Sequence, residues 1–178
     1  MRRLYHTAIP LSTLLLAAPA AAQNTPAAFR DEALRHFEGS SRKITQLAEA
    51  MPADLYTWSP MEGVMPVAQV FMHIARYNYL YLSENLGMPL PDDVDMDTME
   101  AVTDKATVQA MVAASIEYTR RHLAAMQGED LVRMTRQYGR DVPPWSVMFQ
   151  LVAHMNEHVG QSVAYARMNG VAPPWSRP

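Results

Sequence analysis

Four stretches of about 20 residues each carry apolar side chains at helical spacing, and no run between them alternates as a strand would. The first spans about Pro26 to Ala50, with Phe29, Leu34, Phe37, Ile44 and Leu47 set among mixed charges. The second spans about Pro66 to Leu86, between a turn at Gly63 and a stop at Gly87. The third spans about Asp104 to Met126, with Thr103 as the expected N-cap and Gly128 just beyond. The fourth spans about Trp145 to Asn169, entered through Pro143-Pro144 and closed by Gly170 with Pro173-Pro174 after it. Four such helices predict an all-α chain folded as a four-helix bundle. At 178 residues and 49% hydrophobic, the chain can bury a real core as one domain. The link from Gly87 to Thr103 is long enough to cross the bundle, so helices 2 and 3 need not be joined by a tight turn.

Residues 1–22 read as something other than that domain. Arg2 and Arg3 are followed by an apolar run through Leu14, Leu15 and Leu16, then Pro19 and the small residues Ala20-Ala21-Ala22. This three-part layout predicts a cleaved secretory signal peptide, with the domain over 23–178. The run is too short for a permanent membrane anchor. The chain has no Cys, which excludes a lipidated N-terminal Cys, a disulfide and thiolate chemistry. The expected location is the periplasm, or the exterior. Without residues 1–22 the 15 basic residues fall to 13 against 18 acidic ones, a net of −5. No basic patch stands out, so nucleic acid is not an expected partner.

The helix 2–3 link is acidic, with Asp92, Asp93, Asp95, Asp97 and Glu100. Its Asp93, Asp95, Asp97 spacing resembles the start of a calcium loop, but Thr98 stands where such a loop needs Gly, and Asp104 where it prefers Glu. A solvated loop is the expectation. PPWS occurs at 143–146 and 173–176 without similarity around it, and reads as punctuation rather than a repeat.

Chemistry is concentrated in HMNEHVGQ, residues 154–161. Residues i and i+4 of a helix point the same way, one turn apart, so His154 and His158 can hold one ion. Their stripe reads Val147, Leu151, His154, His158, Gln161, Tyr165, which predicts that it faces the bundle interior. A buried imidazole needs a partner or a metal. His73 on helix 2, in the stripe Val70, His73, Tyr77, Leu80, is a candidate third ligand or a core histidine with its own partner; spacing alone leaves both open. His36 and His122 lack paired spacing, and His122 beside Arg120 and Arg121 looks surface-facing. The same stretch fits H-x-x-E-H, an inverted zinc-peptidase pattern, but no Asp or Glu follows His158 to complete that ligand set.

LYTWSPMEGVMPVAQVFMHIARYNYLYLSENLG (55–87) resembles the helix-1 exit and second helix of the DinB superfamily, metal-binding four-helix bundles. HMNEHVGQSVAYARMNGVAPPWS (154–176) resembles that superfamily's last helix and tail, with its H-x-x-x-H, Gly-Gln and Asn-Gly-x-x-Pro-Pro. The resemblance implies a metal triad of His73, His154 and His158, a long crossover between helices 2 and 3, and a homodimer. Three neutral imidazoles suit Zn, Ni, Fe or Cu(II); one divalent ion, Zn or Ni by preference, is the expected cofactor. Three protein ligands leave open positions, the mark of a reactive site. The expected function is therefore metal-dependent hydrolysis or group transfer on a small molecule, with metal or small-ligand binding without turnover as the alternative. Glu157 is the candidate base or partner to a ligand N–H, and Tyr77 and Gln161 are the candidates to orient a substrate.

Overall fold

A computed structural model describes residues 25–176. The expected leader, residues 1–22, lies outside the described residues. Helix α1, Pro26–Ala50, starts where Thr25 accepts the Ala28 N–H at 3.1 Å and Pro26 supplies a first-turn residue with no N–H to satisfy. Its buried face carries Phe37, Ile44 and Leu47. Helix α2, Val67–Leu80, follows a 3₁₀ turn and a loop tied back by Val67 N–H to the Trp58 carbonyl. Helix α3 is Lys105–Ala125 and helix α4 is Pro144–Met168.

Three local expectations are corrected. Asp104, not Thr103, caps α3: its carboxylate accepts both the backbone N–H and the hydroxyl of Thr107, at 2.8 and 2.7 Å. A carboxylate here also meets the positive end of the helix dipole. The second correction is at the end of α2, where the last turn, Tyr81–Asn85, is π-helical. Ser83 donates its hydroxyl to the Tyr79 carbonyl, a bond that competes with the regular ladder. Gly87, at φ +70°, then closes the turn, with the Met88 N–H reaching back to the Leu82 carbonyl.

The third correction is a β-hairpin between α3 and α4. Strand β1, Thr135–Gln137, pairs antiparallel with β2, Arg140–Val142, in the register Thr135↔Val142. Three-residue strands are too short to show alternation. The connecting pair is Tyr138-Gly139, both with positive φ, +49° and +76°. Such a turn is signalled in sequence by Asn-Gly or Asp-Gly, and a tyrosine in left-handed backbone costs about 1–2 kcal/mol.

Around the bundle α1 packs on α3 and α4, and α2 on α3 and α4. Contacts set the directions. Phe29 meets Trp145 and Ser40 bonds Asn156, so α1 and α4 run parallel. Lys105 donates to the Glu49 carbonyl and Arg120 reaches Glu38, so α1 and α3 run antiparallel. Asn78 bonds Ser115 and the Tyr118 hydroxyl reaches the Met88 carbonyl, so α2 and α3 run parallel. Parallel neighbours cannot be joined by a short turn, which is why residues 87–104 must travel the length of the bundle. The core fills the space between, around Phe37, Leu47, Phe71, Ile74, Leu123 and Leu151.

Candidate metal centre

Helices α2 and α4 run antiparallel, which sets His73, Tyr77 and Tyr81 of one against His158, His154 and Gln150 of the other. His73, His154 and His158 each offer a ring nitrogen, and the three atoms lie within 4.8 Å of one another. His158 is 6% exposed, on the core face of α4 with Leu151 and Met155. His154 and Gln161 are half-buried on the shoulder of that face rather than within it. The His73 side chain retains 20% exposure, so one flank of the cluster can be reached by solvent.

Hydrogen bonds decide which nitrogens are free. Tyr165 donates its hydroxyl to the Met65 carbonyl at 3.1 Å, so its oxygen accepts from Gln161 Nε2 at 3.0 Å. That fixes Gln161 Oε1 toward His158 Nδ1, at 2.7 Å, and Nδ1 must therefore carry the hydrogen. The lone pair of His158 is left on Nε2. His73 is held alike: its Nδ1 meets Glu100 Oε1 at 2.8 Å, again leaving Nε2 free. Glu100 Oε2 accepts from Gln69 at 3.3 Å, and Arg76, tied by Nε to the Met96 carbonyl at 2.9 Å, holds the same loop to α2.

One pair of the cluster already has the spacing that an ion needs. Two nitrogens bound tetrahedrally at about 2.0–2.1 Å stand about 3.3 Å apart. His154 Nε2 and His158 Nε2 stand 3.2 Å apart. Burial, and then the proximity of His158 and His73, pushes the His154 pKa down to about 3. His158 is also lowered, chiefly by burial, with the Gln161 bond opposing. Neutral imidazoles at neutral pH are what a divalent ion requires. Tyr77 flanks the cluster, its ring 4.5 Å from that of His73 and 4.4 Å from that of His154.

A pH dependence follows. An unfolded His154 takes a proton near its ordinary value of 6.5, whereas in the fold it does so only near 3. Between those values the unfolded chain binds more protons, so metal-free protein is expected to lose stability as pH falls below about 6.5. Denaturant unfolding of metal-free protein from pH 7 to 4 checks this. His154→Leu should flatten the slope, and an unchanged slope would show that His154 does not carry it.

Not every expected site residue is where sequence placed it. Glu157, expected as base or as partner to a ligand N–H, lies exposed, about 100° round the helix from His158 and away from Leu151 and Met155. It has no hydrogen-bond partner among the described residues; the carboxylate that takes a ligand N–H is Glu100. Gln161, expected to orient a substrate, orients His158 instead. Tyr77 lies beside His73 and His154. His36 pairs with Glu32 on the surface of α1, and His122 is half-buried against the Tyr118 ring. Glu100 escaped sequence reasoning because it lies 27 residues from His73, in an acidic loop expected to be solvated. Asp95 in that loop uses its oxygens on Asp97 and Thr98, forming a local turn.

The sequence profile of the DinB family matches residues 22–177. No curated protein matches the chain. Among solved structures, a DinB-like protein from Bacillus cereus superposes with a TM-score of 0.69 at 16% identity, over 81% of this chain and 95% of its own. A conserved protein from Enterococcus faecalis gives 0.52 at 19% identity, over 85% of this chain and 98% of its own. At such identities the likeness establishes the fold.

Proposed function

The chain belongs to the DinB family, and from its three-histidine cluster we propose that it is an exported metalloprotein that hydrolyses, or transfers a group from, a small molecule. The observation that carries this reading is the convergence of His73, His154 and His158 with two of their Nδ1 atoms already engaged, by Glu100 and Gln161. The remaining nitrogens would hold one divalent ion, Zn or Ni by preference. Such an ion, when bound, would acidify a water and polarise a substrate oxygen. The chain's own groups prepare for this. Glu100 draws on the His73 N–H and makes that imidazole a stronger donor. Gln161, held by Tyr165, fixes the His158 ring. Tyr77 screens one side of the His73–His154 pair from water, while the exposed edge of His73 leaves an approach for substrate.

Metal titration followed by a panel of small esters, amides and group-transfer substrates tests the proposal. Turnover that depends on the ion supports it. A full ion with no turnover across the panel favours metal or small-ligand binding without catalysis, a reading to which the exposed position of Glu157 lends support.

Residues 1–22 support periplasmic location as part of the same proposal, and among the described residues no helix is long and apolar enough to cross a membrane. Mass spectrometry of the exported protein is expected to find an N-terminus at or near Gln23; an intact Met1 would overturn the location. A homodimer also belongs to the proposal. Phe29, Trp145 and Phe149 form an exposed aromatic patch on α1 and α4, and sedimentation would test whether it is covered.

A further inference from the structure

We propose that Tyr138, at the tip of the hairpin, is a specificity-determining residue of the metal centre, and that the ligand has two parts: an oxygen head group for the open metal position and a flat apolar tail that runs past Tyr77 to the Tyr138 hydroxyl. This rests on the three-histidine reading above. The first observation is conformational. Tyr138 holds φ +49° in a two-residue turn where Asn or Gly would sit without strain. Strain kept at one residue points to a use for its side chain.

The second observation is where that side chain goes. The Tyr138 hydroxyl lies 2.8 Å from that of Tyr81, whose ring stands edge-on to His154 at 5.8 Å and 5.4 Å from Tyr77. Tyr77 and Tyr81 are one turn apart on the same face, about 6 Å along the axis at 1.5 Å per residue. The aromatic side chains therefore run in order from the histidines through Tyr77 and the buried Tyr81 to Tyr138 of the hairpin. Tyr81 is buried at 1% exposure, whereas Tyr138 is 64% exposed and free to meet a ligand. Either hydroxyl can donate in the Tyr81–Tyr138 pair, and the exposed Tyr138 hydroxyl keeps a free hydrogen-bonding position for a polar atom at the end of the ligand's tail.

The third observation is that the hairpin is fastened at this place. Asn85, in the π-helical turn that Tyr81 begins, accepts from the Thr135 hydroxyl and donates to the Arg136 carbonyl at 2.8 Å. The tip is thus held at a set distance from the histidines, as a specificity contact requires.

Two hydroxamates on Ni-loaded protein test the proposal: acetohydroxamate, which offers only the head group, and 4-(4-hydroxyphenyl)benzohydroxamate, which adds a flat tail ending in a hydroxyl that can pair with Tyr138. Wild type is expected to prefer the longer probe by about tenfold or more. Tyr138→Asn suits the turn, which offsets part of the loss of the hydrogen bond to Tyr81, so it should stay folded, keep the metal affinity, and lose most of that preference while binding acetohydroxamate as before. Tyr138→Phe removes only the hydroxyl and should fall between. The proposal is overturned if wild type binds both probes equally, or if Tyr138→Asn keeps the full preference. Failure of acetohydroxamate to bind the Ni-loaded wild type would overturn the open-position reading and this proposal together.

Discussion

Replacing any one of His73, His154 or His158 by alanine is expected to lower metal affinity by about 100- to 1,000-fold. A fully ligated zinc site stabilises by about 10–16 kcal/mol, so one ligand of four accounts for about 2.5–4 kcal/mol, at 1.4 kcal/mol per factor of ten. The three nitrogens lie within 4.8 Å of one another, and among the described residues no fourth His or carboxylate belongs to the group to take over. Competition titration with a chromogenic chelator reads the effect directly. Thermal melting reads it again, because an ion that binds only the folded chain raises the melting temperature and the variants should lose that rise. His36→Ala and His122→Ala serve as controls, one on the surface of α1 beside Glu32 and the other against Tyr118. If all three triad variants kept wild-type affinity, the cluster would not be the metal site.

The second large effect is expected at Glu100. Removing a carboxylate that holds a ligating histidine typically costs about 10–100-fold in metal affinity or activity. Glu100→Ala should show the full loss, because His73 Nδ1 then has no acceptor and the ring is free to turn. Glu100→Gln keeps an oxygen that can accept from Nδ1, so it preserves orientation and removes only charge, and its loss should be smaller. Glu157→Gln should bind the ion as wild type does, since that carboxylate is exposed. Melting of the metal-free variants separates these effects from loosening of the crossover, which Arg76 also fastens through the Met96 carbonyl. Equal affinity of Glu100→Ala and wild type would show that His73 needs no such partner.

The helices were legible because their determinants are local. Thr25-Pro26 starts α1, and Gly170 stands just past α4. The residues of a ladder or a cap lie within four positions of each other, so their pattern survives in one dimension. The His154–His158 pair was legible for the same reason, since a four-residue spacing on a helix is already a geometry. The hairpin was not, because its strands are three residues long and its turn uses Tyr where the recognisable signal is Asn. Nor was the π-helical turn, within which Ser83 bonds back to the Tyr79 carbonyl, since a serine in a regular helix can make the same bond.

By itself, then, the sequence determined four helices, their ends to within about a turn, and which faces carry imidazoles. Only the tertiary structure decided that α2 and α3 run parallel, that the crossover brings Glu100 to His73, that Gln161 serves His158 through a chain ending at the Met65 carbonyl, and that Tyr138 reaches Tyr81. The physical reason is range. Hydrogen-bond periodicity and capping act between near neighbours and are written in spacing. The choice of which carboxylate or phenol meets a given imidazole follows from how separate elements pack, and residues brought together across 27 to 100 positions leave no spacing to read.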